Sequence, residues 1–106
     1  MAENEVAEFR ARYERHTQFV LDGDLKSALA DMVQENLPKV FEGVRTPGKG
    51  VSARRIVDVR REGDTWIGDT VYTTPEGLIG LRSIWELRDG VWLAAALANF
   101  PVPEEA

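Results

Sequence analysis

Apolar positions in the first third of the chain recur at steps of three and four. Val6, Phe9, Tyr13, His16 and Val20 fall on one stripe of a helical wheel, with Glu8, Arg12 and Arg15 elsewhere on it, which predicts an amphipathic helix over residues 4–21. Gly23 ends that period. Asp24 stands where its side chain can cap a second helix, whose apolar positions Leu25, Ala28, Leu29 and Met32 carry it to about Val33. Between Gln34 and Gly50 the prolines and the run Thr-Pro-Gly-Lys-Gly interrupt any period, so Leu-Pro-Lys-Val-Phe-Glu-Gly-Val is compatible with a short helix or an edge strand.

After Gly50 the period changes to two, and β-branched and aromatic residues become frequent. Four strands are predicted, over residues 51–62, 65–74, 77–88 and 91–100. Gly63-Asp64, Pro75-Glu76 and Asp89-Gly90 stand between them, and the last pair suits the positive φ angles of a type I′ hairpin. Two-residue loops set the register of the resulting meander by arithmetic. Asp58 falls opposite Asp69, Asp69 opposite Arg82, and Asn99 opposite Gly80.

The same arithmetic sorts the side chains between two sheet faces. One collects Val57, Val59, Trp66, Thr70, Tyr72, Ile79, Leu81, Trp85, Leu87, Trp92, Ala94, Ala96, Ala98 and Phe100, and is almost wholly apolar. The other collects Ile56, Ile67, Val71, Leu78, Ile84, Leu93, Ala95 and Leu97 around Asp58, Asp69, Arg82 and Asn99. Two helices cover one face only. The mixed face is expected beneath them, and the tryptophan face, with Trp66, Trp85, Trp92, Ala94 and Ala96, is expected to pack on a second copy of the sheet. The alternative is a sandwich in which residues 34–50 supply the cover.

Composition narrows the class. The chain has 106 residues, enough for one domain, taken as 1–106 with a frayed acidic end over 101–106. It has no cysteine, which removes disulfides and thiol chemistry and fits a reducing cytoplasm. A net charge of −5 disfavours nucleic acid or an anionic membrane as partner, and no apolar run is long enough for a membrane span or a signal peptide. Other patterns fail for chemical reasons. Gly43 to Lys49 has the spacing GxxxxGK, but Gly50 stands where a phosphate-binding loop needs Ser or Thr. The doublets Arg54-Arg55 and Arg60-Arg61 point to opposite faces of a strand and make no basic patch. With one histidine and no cysteine, neither a transition-metal site nor a serine triad is expected.

What remains is acid–base chemistry. His16 lies on the apolar stripe of the first helix, where an imidazole could move a proton if Asp58 or Asp69 oriented it, so His16, Asp69 and Asp58 are the candidate catalytic groups. Tyr13, Arg82, Ile84, Leu97 and Asn99 are the candidate substrate contacts. The competing account makes Asp69–Arg82 a cross-strand salt bridge, Asp58 an exposed rim residue and His16 a hydrogen-bonded core histidine.

The helix, the Gly23-Asp24-Leu25 corner, the short second helix and a meander bearing Ile84-Trp85-Glu86-Leu87-Arg88-Asp89-Gly90-Val91-Trp92 together resemble the nuclear transport factor 2-like superfamily, whose small bacterial members include the polyketide cyclase-like (SnoaL-like) proteins and ketosteroid isomerases. The resemblance implies an α+β, cystatin-like cone: N-terminal helices on a strongly curved antiparallel sheet, a pocket on the concave face, and dimers through the other face. It places His16 at the position of the isomerase's oxyanion-hole tyrosine, with Tyr13 one turn earlier. The two isomerase acids fall on Val40, with Glu42 nearby, and on Ile84, so that reaction is not expected. Two readings of different class follow. One is a small-molecule pocket protein, extending to a cofactor-independent acid–base enzyme (isomerase, cyclase or hydratase-like) on a hydrophobic carbonyl or polyketide-like compound. The other is a non-catalytic homodimeric module with a filled cavity.

Overall fold

The computed structural model describes residues 2–48 and 50–102, with side chains from Glu5 onward; the predicted tail lies partly outside the described residues. It is α+β. Helix α1 (Ala2–Asp22) and the short helix α2 (Leu25–Ala30) precede a four-stranded antiparallel sheet in sequence order, β1 (Ala53–Glu62), β2 (Thr65–Thr74), β3 (Gly77–Arg88) and β4 (Val91–Asn99). Asp24 caps α2 as its sequence suggests, its carboxylate accepting from the Ser27 N–H at 3.2 Å. α2 is shorter than its apolar spacing predicts and stops at Asp31. There the chain turns to lie beside β4: Ala94 N–H donates to the Asp31 carbonyl at 2.9 Å, and Val33 N–H donates to the Ala94 carbonyl at 2.8 Å. The described residues between 34 and 48 form neither predicted alternative in full, but two 3-10 turns, Gln34–Asn36 and Lys39–Phe41. No described helix is long and apolar enough to cross a membrane.

The hairpin arithmetic holds at all three loops, where Glu62 pairs with Thr65, Thr74 with Gly77 and Arg88 with Val91. Asp89 and Gly90 both have positive φ (52° and 80°), as a type I′ turn requires. Asp58 opposes Asp69, and Asp69 opposes Arg82. Two bulges then overturn part of the face assignment. The register shifts between Ile56 and Asp58, and again where Ile84 pairs with Ala96 but Trp85 with Ala94. Each extra residue, Val57 and Ala95, reverses the alternation beyond it. Ile56, Leu97 and Asn99 therefore join the tryptophan side, while Ala96 and Ala98 pass to the Asp69 side; Asn99 opposes Leu81, not Gly80.

The covered face is also the reverse of the one expected. Helix α1 packs on the tryptophans: Phe9 stacks on Trp66 with ring centres 5.0 Å apart and meets Trp85 edge-on at 5.5 Å, and Trp85 is fully buried. The reason is volume. Four aromatic rings give the helix far more apolar area to bury than the face carrying Asp69 and Arg82, at about 25 cal/mol per Å². Trp66, Trp85, Trp92 and Ala94 are thus intramolecular core or its margin, and cannot form the sheet-to-sheet contact predicted for them. Only Ala96 of that set lies on the uncovered face, where it is exposed.

Candidate functional site

The candidate residues separate into two groups on opposite sides of the sheet. Asp58, Asp69, Arg82 and Ile84 lie on the uncovered face. Asp69 is buried and accepts from Arg82 twice, at 2.8 and 3.0 Å; Arg60 bridges it to Asp58 at 3.3 and 2.8 Å. None of these groups reaches His16. Ile84 therefore lines no cavity with the histidine, and neither Asp58 nor Asp69 orients the imidazole. The cross-strand ion pair is what Asp69 and Arg82 form.

Beneath α1 stand Tyr13, His16, Leu97 and, at the rim, Asn99. Tyr13 is closed into the core, its hydroxyl 2.6 Å from Thr70 Oγ1, and burial pushes that hydroxyl up to about 12 despite the hydrogen bonds to Thr70 and Ser83. Tyr13 is not among the residues that line the cavity described below. His16 is different. Its Nδ1 is 3.0 Å from Asp31 Oδ2, and Arg12, one turn earlier on α1, holds the other carboxylate oxygen at 3.1 Å while donating to the Trp92 carbonyl at 3.0 and 2.9 Å. The ring stands edge-on to Trp85 with centres 5.0 Å apart. Burial alone would raise the Asp31 carboxyl, but the hydrogen bond and charge of His16 and the Arg12 guanidinium outweigh it and hold the group below the usual carboxylate range.

Asp31 is the residue that sequence reading missed. It sits inside the span assigned to the second helix, and only the turn onto β4 brings its carboxylate under Arg12 and His16. The available signal was the i, i+4 spacing of Arg12 and His16, two groups on one helix face that both favour a carboxylate partner.

Beside the imidazole is a cavity of about 290 Å³. Its walls come from α1 (Val20), α2 (Leu25, Ala28, Leu29), the second 3-10 turn (Phe41), the loop Thr46-Pro47-Gly48, and the strands (Leu81, Leu97). Apart from His16 and Thr46 these side chains are apolar. Asn99 fastens the loop: its Oδ1 accepts from the Arg45 N–H at 2.8 Å, and its Nδ2 donates to the carbonyls of Arg45 and Gly80 at 2.9 and 3.0 Å. Asn99 therefore fastens the loop, and it is not among the residues that line the cavity. A larger groove of about 610 Å³ lies at the other end of the helix, between Glu5, Glu8, Asp64 and Trp92, and an exposed ion pair, Arg61–Glu5 at 2.8 Å, spans it. Among the described residues no three His, Asp or Glu side chains converge as metal ligands would.

The class these observations define is an α+β protein with a helix-covered apolar cavity and one oriented imidazole in its wall. The chain matches no protein-family model, and no curated protein is significantly similar to it.

Proposed function

We propose that this is a small-molecule-binding protein of the nuclear transport factor 2-like, SnoaL-like kind, with His16 as the acid–base group of the site and Asp31 as the residue that orients it. The observation that carries the reading is the 290 Å³ apolar cavity with a single imidazole in its wall and a carboxylate behind the ring. A few polar groups fixed in an apolar concavity are the usual form of a ligand site, and a carboxylate-backed histidine is a usual general base. The chemistry needs no cofactor, since both proton acceptor and orienting group come from the chain, and the absence of cysteine fits a cytoplasmic setting.

The test is thermal melting of the protein against a panel of small apolar compounds. The reading expects a subset to raise the melting temperature, and expects His16→Ala to change that response while leaving the circular dichroism spectrum intact. A panel without effect, together with a cavity that takes up no xenon, overturns it.

The second reading, a homodimeric module, is favoured by one observation. Leu78 and Ala96 are exposed on a sheet face that no described element covers, beside the buried Ile67 and Val71. A second copy packed there would cover them. Sedimentation at micromolar concentration tests it: a dimer that Ala96→Arg converts to monomer supports it, and a wild-type monomer removes it.

A further inference from the structure

The hydrogen bonds of His16 decide which kind of polar group a ligand of this cavity carries, an inference that rests on the binding function proposed above. Asp31 is an ionised carboxylate with both oxygens engaged, so it can only accept. Its contact at 3.0 Å with Nδ1 therefore puts a proton on Nδ1, and in the neutral form of the ring Nε2 is then the acceptor. Arg12 reinforces this from the far side, because its guanidinium on the other carboxylate oxygen keeps Asp31 ionised. No described residue donates to Nε2. Among the described side chains of the cavity wall, the hydroxyl of Thr46 is the one polar group besides the imidazole.

We infer that the site selects small apolar acids: compounds with one acidic hydroxyl, phenolic or carboxylic, on a body of about one ring and a short chain. A lone pair in an apolar wall is satisfied by a donor. A ketone or ether brings only acceptors and would face Nε2 with like polarity. A phenol donates its O–H to Nε2 and keeps its proton, because an ordinary phenol ionises at about pH 10, well above an ordinary imidazolium, while Nδ1–H stays on Asp31. A carboxylate carries no proton at neutral pH, so the imidazole takes one from solvent as the anion enters, and the result is a carboxylate–imidazolium pair with Asp31 on the ring's other side. The charged and titratable groups that face the ring are Asp31, from the turn after α2, and Arg12, from α1; the described wall residues from the strands (Leu81, Leu97) and the loop (Thr46, Pro47, Gly48) are uncharged. Size follows from volume. An apolar cavity of roughly 150 Å³ accepts benzene, and one of about 290 Å³ takes a ring bearing a short chain.

His16 is the only histidine, so the imidazole ¹⁵N resonances of the labelled protein report it without assignment. The probes are 4-propylphenol against its methyl ether, and 3-phenylpropanoic acid against its amide. The inference expects the free protein to show the Nδ1–H tautomer, and each acid to bind at least tenfold more tightly than its neutral counterpart with a change confined chiefly to Nε2. Calorimetry in two buffers separates the two sources of the proton: uptake from solvent accompanies the carboxylate and not the phenol. Asp31→Asn supplies an amide that can donate to Nδ1 and move the proton to Nε2, and it should reverse the preference toward the ether; a variant that merely loosened the fold would weaken all four probes together. Equal binding of acids and neutral counterparts, or an Nε2–H tautomer in the free protein, overturns the inference while leaving the binding function standing. Failure of all four probes to bind overturns the inference, and with a silent thermal panel and no xenon uptake it overturns the binding function as well.

Discussion

The ring of Tyr13 lies across Gly68, so close that a Cβ on the glycine would stand 2.6 Å from Cε2 and 2.7 Å from Cε1. The absent side chain on β2 is what lets α1 come down onto the sheet and lets the Tyr13 hydroxyl reach Thr70, two residues along the same strand face. Helix depth, and with it the height of His16 above the strands, is set at this contact.

Gly68→Ala should destabilise the protein by about 1–3 kcal/mol, the range for overpacking a core. Urea unfolding measures it. Tyr13→Leu in the same chain should recover part of the loss, because the two positions share one space, and the double mutant should be more stable than the sum of the single effects requires.

Tyr13 also gives a pH dependence. Its hydroxyl is neutral in the folded protein up to about 12, mainly through burial, whereas an unfolded tyrosine ionises near 10. The stabilisation is complete below pH 10 and is lost as pH rises toward 12, amounting to ~2–3 kcal/mol over that window. Tyr72, also raised by burial, adds a fall of the same sign. Tyr13→Phe should flatten the alkaline limb of the melting curve without abolishing it, and should cost about 1–2 kcal/mol at pH 7 through the unpaired Thr70 hydroxyl.

Asp31 acts at the other end of the pH scale. Its carboxyl is held low in the folded state, so its contribution is present above about pH 4, the unfolded value, and disappears as pH falls through the lower native value. Asp31→Ala should cost about 2 kcal/mol at pH 7, since charged hydrogen bonds to His16 and Arg12 are removed together. Melting temperatures between pH 2 and 7 should converge for wild type and variant at the acid end.

On the uncovered face, Asp69 is shared by Arg82 and Arg60. Removing one arginine leaves the buried carboxylate a partner, and Arg82→Ala should cost about 1–2 kcal/mol. Removing both should exceed the sum of the single losses, because an unpaired buried charge is then left behind. Asp58→Ala, on a half-exposed side chain, should change stability by less than about 0.5 kcal/mol.

Asn99→Ala should free the loop that forms one wall of the cavity. The Arg45 amide loses its acceptor, so its hydrogen exchange should speed up, and ligands should leave faster with little change in overall stability.

Local rules carried much of this structure. The 3.6-residue stripe of α1, the Asp24 cap, four strands with their two-residue turns, and the pairing of Asp58 with Asp69 and of Asp69 with Arg82 all follow from spacing and turn chemistry within short windows. The face beneath the helix did not, because alternation counts positions and is blind to bulges at Val57 and Ala95, each of which reverses every side chain beyond it. Nor can a pattern weigh two apolar faces; the helix chose the one where Phe9 and Tyr13 meet Trp66 and Trp85, and so left Asp69 and Arg82 on the other side. His16 was legible as a polar group on an apolar stripe. Its partner was not, since Asp31 is fifteen positions away and reaches it only after α2 ends early and the chain hydrogen-bonds along β4. A carboxylate positioned by another segment's backbone is a property of packing, and no local window of the sequence contains it.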